Sequence, residues 1–148
     1  MDWLWNILWF GGLWFCGSFV IGAFGTQIGI ILLCTKRLMR RIRNDHMYWD
    51  SAACNSYLNR TIAINAIIIL AASALVLWLL PSAAVWGYFI GAAFTLITSM
   101  GAMGMTEANA NESCQIFLRF AKPGMEKEMA ELIPMLASQA VFEAMIRK

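Results

Sequence analysis

The chain has 148 residues, of which 60% are hydrophobic and 14% charged, with a formal net charge of +2. A typical soluble domain is about 45–50% apolar and about 25% charged, and one this small has too little interior to hide such an excess. The composition excludes intrinsic disorder, which needs low hydrophobicity and high net charge. It also argues against a nucleic-acid partner, because so small a charge leaves no phosphate footprint.

With a mean hydropathy of +0.63, these numbers predict an all-α integral membrane protein whose first partner is the lipid bilayer. From Trp3 to Cys34 there is no charged side chain. As one helix this stretch would be about 48 Å long, against a hydrocarbon core of ~30 Å. The paired glycines Gly11 and Gly12 are the expected break. Before them, Trp3, Trp5 and Trp9 predict an interfacial helical lead-in over residues 2–10, since indoles favour the headgroup level. The first span is then about 12–34, with one long tilted helix as the alternative. No basic segment precedes the apolar run, so no cleaved signal peptide is expected.

The second span is expected at about 61–80 and the third at about 83–105, joined as an antiparallel hairpin through Pro81-Ser82. Trp78, Trp86 and Tyr88 flank that turn and are expected to mark its interface. Between spans one and two, the segment 35–60 carries Lys36, Arg37, Arg40, Arg41, Arg43 and Arg60 against Asp45 and Asp50. The hairpin turn carries no charge. The positive-inside rule therefore places 35–60 in the cytoplasm, the N-terminus outside and the C-terminus inside, in a cell membrane of the bacterial inner-membrane type. Residues 1–105 make a three-span membrane domain, and 106–148 a cytoplasmic amphipathic helical tail. Within that tail, one helix is expected over 107–121, broken by Pro123-Gly124. A second begins near Met125, with Met129, Leu132, Ile133, Leu136 and Ala140 at helical spacing. Pro134 kinks it or starts a new helix. The apolar part of the tail is expected to cover the segment 35–60, to lie on the membrane or to meet a partner.

Small residues form two rows. Gly11, Ser18, Gly22, Gly25 and Gly29 recur at steps of seven, four, three and four along the first span. Gly87, Gly91, Thr95, Thr98 and Ala102 make a similar row in the third. Small side chains let backbones approach closely, so the rows pack together within one chain or one of them faces another subunit. Gln27, Asn65, Thr98 and Ser99 are expected at similar membrane depth, as a structural clasp or as the polar lining of an ion path. No Asp, Glu, Lys, Arg or His lies within a span, which weighs against a proton relay or a carrier of charged substrates. The basic run Lys36, Arg37, Arg40, Arg41 and Arg43 is expected to set topology and to meet lipid headgroups.

Chemistry-bearing patterns are sparse. Cys16, Cys34, Cys54 and Cys114 have no CxxC spacing and predict neither a disulfide framework nor a zinc site. His46, Asp50 and Cys54 are spaced along one helix face, but a lone imidazole in that pattern matches no zinc motif. An interfacial helix carrying Tyr48, Trp49 and Tyr57 fits the segment better. The chain has no serine elbow, P-loop or HExxH, and Glu107 and Glu112 fall on different helix faces. No catalytic residue, cofactor or metal is expected. The expected function is a non-catalytic membrane subunit that forms a homo-oligomer or joins a larger membrane complex, of a secretion, conjugation or defence type. The alternatives are an ion-conducting subunit and a membrane lipid enzyme. In layout alone, the chain resembles the proton-channel subunits of flagellar-type motors.

Overall fold

A computed structural model describes residues 2–42, 48–80 and 82–146. Among them there is no strand, and seven α-helices follow in chain order. They are α1 (Asp2–Val20), α2 (Thr26–Ile30), α3 (Lys36–Ile42), α4 (Ser51–Leu79), α5 (Ser82–Ser99), α6 (Glu107–Leu118) and α7 (Glu126–Ile146). Two π-helical turns, Ile21–Gly25 and Ile31–Thr35, join α1 to α2 and α2 to α3. Trp3–Ile42 is therefore helical throughout. Arg43, Asp45, His46, Pro81, Arg147 and Lys148 lie outside the described residues.

The expected break at Gly11-Gly12 does not occur, because α1 runs through both glycines. Opening a turn there would leave amide groups unpaired among apolar side chains, which costs more than the roughly 1 kcal/mol helix penalty of a glycine. The irregularity falls further along. At Ile21–Gly25 the N–H of Thr26 reaches back to the Ile21 carbonyl, and at Ile31–Thr35 that of Lys36 reaches the Ile31 carbonyl. The Thr26 hydroxyl also donates to the Gly22 carbonyl. Such back-bonding to the preceding turn bends helices.

Three helices are long and apolar enough to cross a membrane: Trp3–Ile42, Ser51–Leu79 and Glu126–Ile146. The set differs from the expected one. The first two are longer than the predicted spans 12–34 and 61–80, and the segment read as a loop, 35–60, is helical at both ends. The predicted third span, 83–105, stops at Ser99. Its eighteen residues cover only about 27 Å. Beyond it, the Asn109 side-chain amide donates to the carbonyls of Ala102 (2.7 Å) and Gly104 (2.8 Å) and fixes a turn in place of further helix.

The helices form two compact units. The first comprises Met1–Ile28 and Ile62–Gly101. In it α5 lies along α1 in close backbone contact, with Leu13, Val76 and Tyr88 as its small core and Val20, Leu80 and Val85 packed against them. Tyr88 is buried in this core, and its hydroxyl is 3.3 Å from that of Ser73. Trp78 and Trp86 are exposed. Much of the apolar surface of this unit is open, including Phe15, Phe19, Ile67, Leu70 and Ile97.

The second unit comprises Gly29–Thr61 and Ala102–Lys148. Its core is denser and includes Leu38, Ile42, Trp49, Leu58, Phe117, Met129 and Ile133. Here the tail does cover the segment 35–60, one of the three outcomes expected for it. The backbone of 48–50 joins that of 120–122 through Asp50 N–H to the Phe120 carbonyl (2.9 Å) and Lys122 N–H to the Tyr48 carbonyl (3.0 Å). The Asp50 carboxylate caps α4 by accepting from the Ala53 N–H. Thr106 caps α6 in the same way through the Asn109 N–H. Between α6 and α7 the chain turns at Gly124, whose φ of 87° suits glycine. Pro134 lies inside α7 without ending it.

Candidate functional site

The closest helix contact in the first unit is built from glycines set against backbone. A Cβ at Gly87 would lie 2.5 Å from the Phe10 carbonyl oxygen, and one at Gly91 would lie 2.8 Å from the Trp14 carbonyl carbon. In the other direction, a Cβ at Gly17 would lie 2.8 Å from the Tyr88 carbonyl carbon. The Ser18 hydroxyl donates to the Gly91 carbonyl at 3.1 Å. The contact thus combines close approach with an interhelical hydrogen bond, the two means by which helices associate in lipid.

The predicted rows divide accordingly. Gly87, Gly91 and Ser18 meet in this contact, and Gly22 has ordinary contact with the Thr95 side chain (3.8 Å for a built Cβ). Gly11 faces open space, Gly25 faces its own helix at Ile21, and Gly29 lies against Met103 in the second unit. Thr98 points its hydroxyl to the Phe94 and Thr95 carbonyls of its own helix. Gly17 was missing from the predicted row. The signal that would have found it is the run Phe10, Trp14, Gly17 at steps of four and three, whose large residues oppose the small residues of α5.

Of the four intramembrane polar residues expected at one depth, two meet. The Asn65 amide donates to the Gln27 side-chain carbonyl at 3.1 Å. Asn65 is buried and Gln27 exposed. Ser99, like Thr98, spends its hydroxyl on its own helix, at the Thr95 carbonyl (2.6 Å). A ring of polar groups from three helices is not formed by these residues.

The basic run also divides. Lys36 donates to the Asn59 side-chain carbonyl at 2.7 Å. Arg41 makes a two-pronged pair with Glu143 of α7, at 2.6 and 3.2 Å. Arg37 and Arg40 are exposed. Arg41 therefore fastens the tail to α3, which the sequence pattern did not indicate.

Around α6 the second unit holds a buried polar and sulfur-bearing cluster. Thr35 and Ser113 share a hydrogen bond of 2.9 Å, and the Ser113 hydroxyl also donates to the Asn109 carbonyl. The Cys34 thiol contacts the Met105 thioether at 3.4 Å and lies 3.8 Å from the Ser113 hydroxyl. Cys34, Cys54 and Cys114 are free and buried, whereas Cys16 is exposed. Burial, together with the nearby Cys34, pushes the Cys114 thiol up to about 11. The ring of Trp49 packs edge-on against Phe117 at 5.3 Å, and its indole N–H has no partner among the described residues.

On the outer side of α7, Met135, Phe142, Met145 and Ile146 are exposed, while Met129, Ile133, Ala137, Ala140 and Val141 are buried. A groove between α6 and α7 is lined by Ala110, Pro134, Ala137, Val141, Phe142 and Met145, with Glu107, Asn111 and Ser138 at its polar points. Comparison with protein families, with characterised proteins and with solved structures gives no match.

Proposed function

We propose that the chain is a small non-catalytic integral membrane subunit that assembles with itself or into a larger membrane complex. The observation that carries this reading is α7. It buries one apolar face inside the second unit and still exposes Phe142, Met145 and Ile146 beside an apolar groove. A soluble monomer seldom leaves such a contiguous apolar surface uncovered. The long apolar helices Trp3–Ile42 and Ser51–Leu79 supply the membrane anchorage, and the shorter apolar stretch Val85–Ser99 of α5 makes the third crossing that this layout needs. The exposed Arg37 and Arg40 favour a cytoplasmic position for α3, and with it the inner-membrane, N-out and C-in layout. The ion-path alternative retains only the Gln27–Asn65 pair for its lining.

Native mass spectrometry of a mild-detergent extract tests the reading. The expected result is a defined oligomer or a stoichiometric complex that dissociates in the Phe142→Glu, Met145→Glu double variant. A homogeneous monomer with no companion would overturn it. Resistance of the chain to alkaline carbonate extraction tests the membrane anchorage separately.

A further inference from the structure

We propose that Gln27 pairs with the same residue of a second copy of this chain, through a reciprocal amide contact inside the membrane. This rests on the self-assembling form of the function proposed above, and it names where in the first unit one copy meets the next.

Gln27 belongs to an uncharged stretch that runs from Trp3 to Cys34. It precedes Lys36 by nine residues, about 13 Å along a helix axis. With Lys36 at the headgroups, that depth is inside the hydrocarbon core. Gln27 is nonetheless exposed. Among the described residues its side chain makes one hydrogen bond, accepting from the Asn65 amide at 3.1 Å. Asn65 is buried on α4, so this bond turns the carbonyl end of the Gln27 amide inward. The amide is planar, and its NH2 end points away from Asn65 with both protons unpaired among the described residues. Bulk water does not reach them in the bilayer core, and leaving them bare in lipid is costly.

The chemistry of the group selects the occupant. A neighbouring helix has spent its backbone groups on itself, so the acceptor must be a side chain at the same depth. A second copy inserted in the same direction brings its own Gln27 to that depth by symmetry, and twofold pairing is the commonest form of self-assembly. An amide is also self-complementary. Its carbonyl oxygen has two lone pairs: one takes the Asn65 bond, and the other is free for the partner. Each Gln27 then donates one N–H to the carbonyl of the other and accepts one in return, a polar contact of the kind that joins helices in lipid. No charge lies in the stretch to repel a parallel copy. The amide is carried by α2, which is set between the π-helical turns Ile21–Gly25 and Ile31–Thr35, rare distortions that recur at functional sites.

The test is disulfide trapping and energy transfer between labelled copies of the full chain in phosphatidylcholine liposomes. Gln27→Cys, in a chain that also carries Cys16→Ser, is expected to cross-link into a covalent dimer under a mild oxidant. Ile67→Cys, on the exposed surface of α4, is expected not to cross-link. Gln27→Leu is expected to weaken dimerisation roughly 10-fold, the scale of one or two interhelical hydrogen bonds. It also removes the bond to Asn65, so Asn65→Leu is the second variant: it loses the same internal bond and is expected to dimerise as the wild type does. Equal weakening in both variants would trace the effect to the internal bond and overturn the pairing. Wild-type assembly that persists in Gln27→Leu, with no cross-linking of Gln27→Cys, would overturn the pairing and leave the subunit reading standing. A single copy held in a complex with other proteins would do the same, whereas a lone monomer would overturn both.

Discussion

Gly91 turns its bare Cα toward the backbone of Trp14, and a Cβ there would lie 2.8 Å from the Trp14 carbonyl carbon. One turn earlier, Gly87 meets Phe10 in the same way. The obstacles are backbone atoms, which cannot rotate aside. Gly91→Ala and Gly87→Ala are therefore expected to destabilise the α1–α5 contact by about 1–3 kcal/mol each, the usual cost of overpacking. Gly11→Ala and Gly12→Ala have the opposite expected sign. Nothing lies within 4 Å of a Cβ at either position, and alanine gains up to about 1 kcal/mol of helix propensity. Unfolding followed by circular dichroism checks all four; loss of stability at Gly11 equal to that at Gly91 would contradict the contact.

The Gln27–Asn65 hydrogen bond gives a second expectation. Interhelical side-chain bonds in membrane proteins average about 0.6 kcal/mol, with a maximum near 1.7. A double-mutant cycle of Gln27→Ala and Asn65→Ala is expected to show coupling of that order. Thr98→Ala coupled with Asn65→Ala is expected to show none, since the Thr98 hydroxyl is held by carbonyls of α5.

The periodicity of hydrophobic and charged residues made much of this arrangement legible. Of the apolar positions read at helical spacing in the tail, Met129, Ile133 and Ala140 are buried, Leu132 and Leu136 are half-buried and Met125 is exposed. What it missed depends on partners distant in the chain. The small-residue rows overlooked Gly17 because it falls outside the steps that join Gly11, Ser18 and Gly22, although it approaches the Tyr88 backbone as closely as Gly91 approaches that of Trp14. Cys34 and Met105 carry no spacing signal, because a turn fixed by Asn109 brings them together. Gly11-Gly12 suggested a break on propensity alone, where the cost of unpaired amides decides otherwise.

Arg41 and Glu143 define a third expectation. Their side chains remain 33% and 50% exposed, so the pair is expected to contribute at most about 1 kcal/mol and to weaken with added salt. Arg41→Ala is expected to lower the stability of the second unit slightly while leaving binding to anionic vesicles unchanged. Arg37→Ala with Arg40→Ala is expected to do the reverse, because each exposed basic residue near a membrane surface is worth about 1 kcal/mol. Vesicle flotation and thermal unfolding, measured on the same variants, separate the two roles.

The Cys114 thiol gives an alkaline signature. Its value in the folded chain is raised to about 11 from an ordinary 9.0, chiefly by burial and next by Cys34. Above 9 the unfolded chain loses this proton while the folded chain keeps it, so the unfolded state binds fewer protons and stability falls as pH rises. The contribution is fully present below 9 and is lost progressively up to about 11. At 1.36 kcal/mol per pKa unit, its upper bound is about 3 kcal/mol. Cys114→Ser removes the thiol with little change in volume and is expected to flatten this slope. Denaturant unfolding from pH 7 to 11 checks it through the difference between wild type and variant, in which other alkaline titrations cancel. Parallel curves over the whole range would show that Cys114 ionises alike in the folded and unfolded chains.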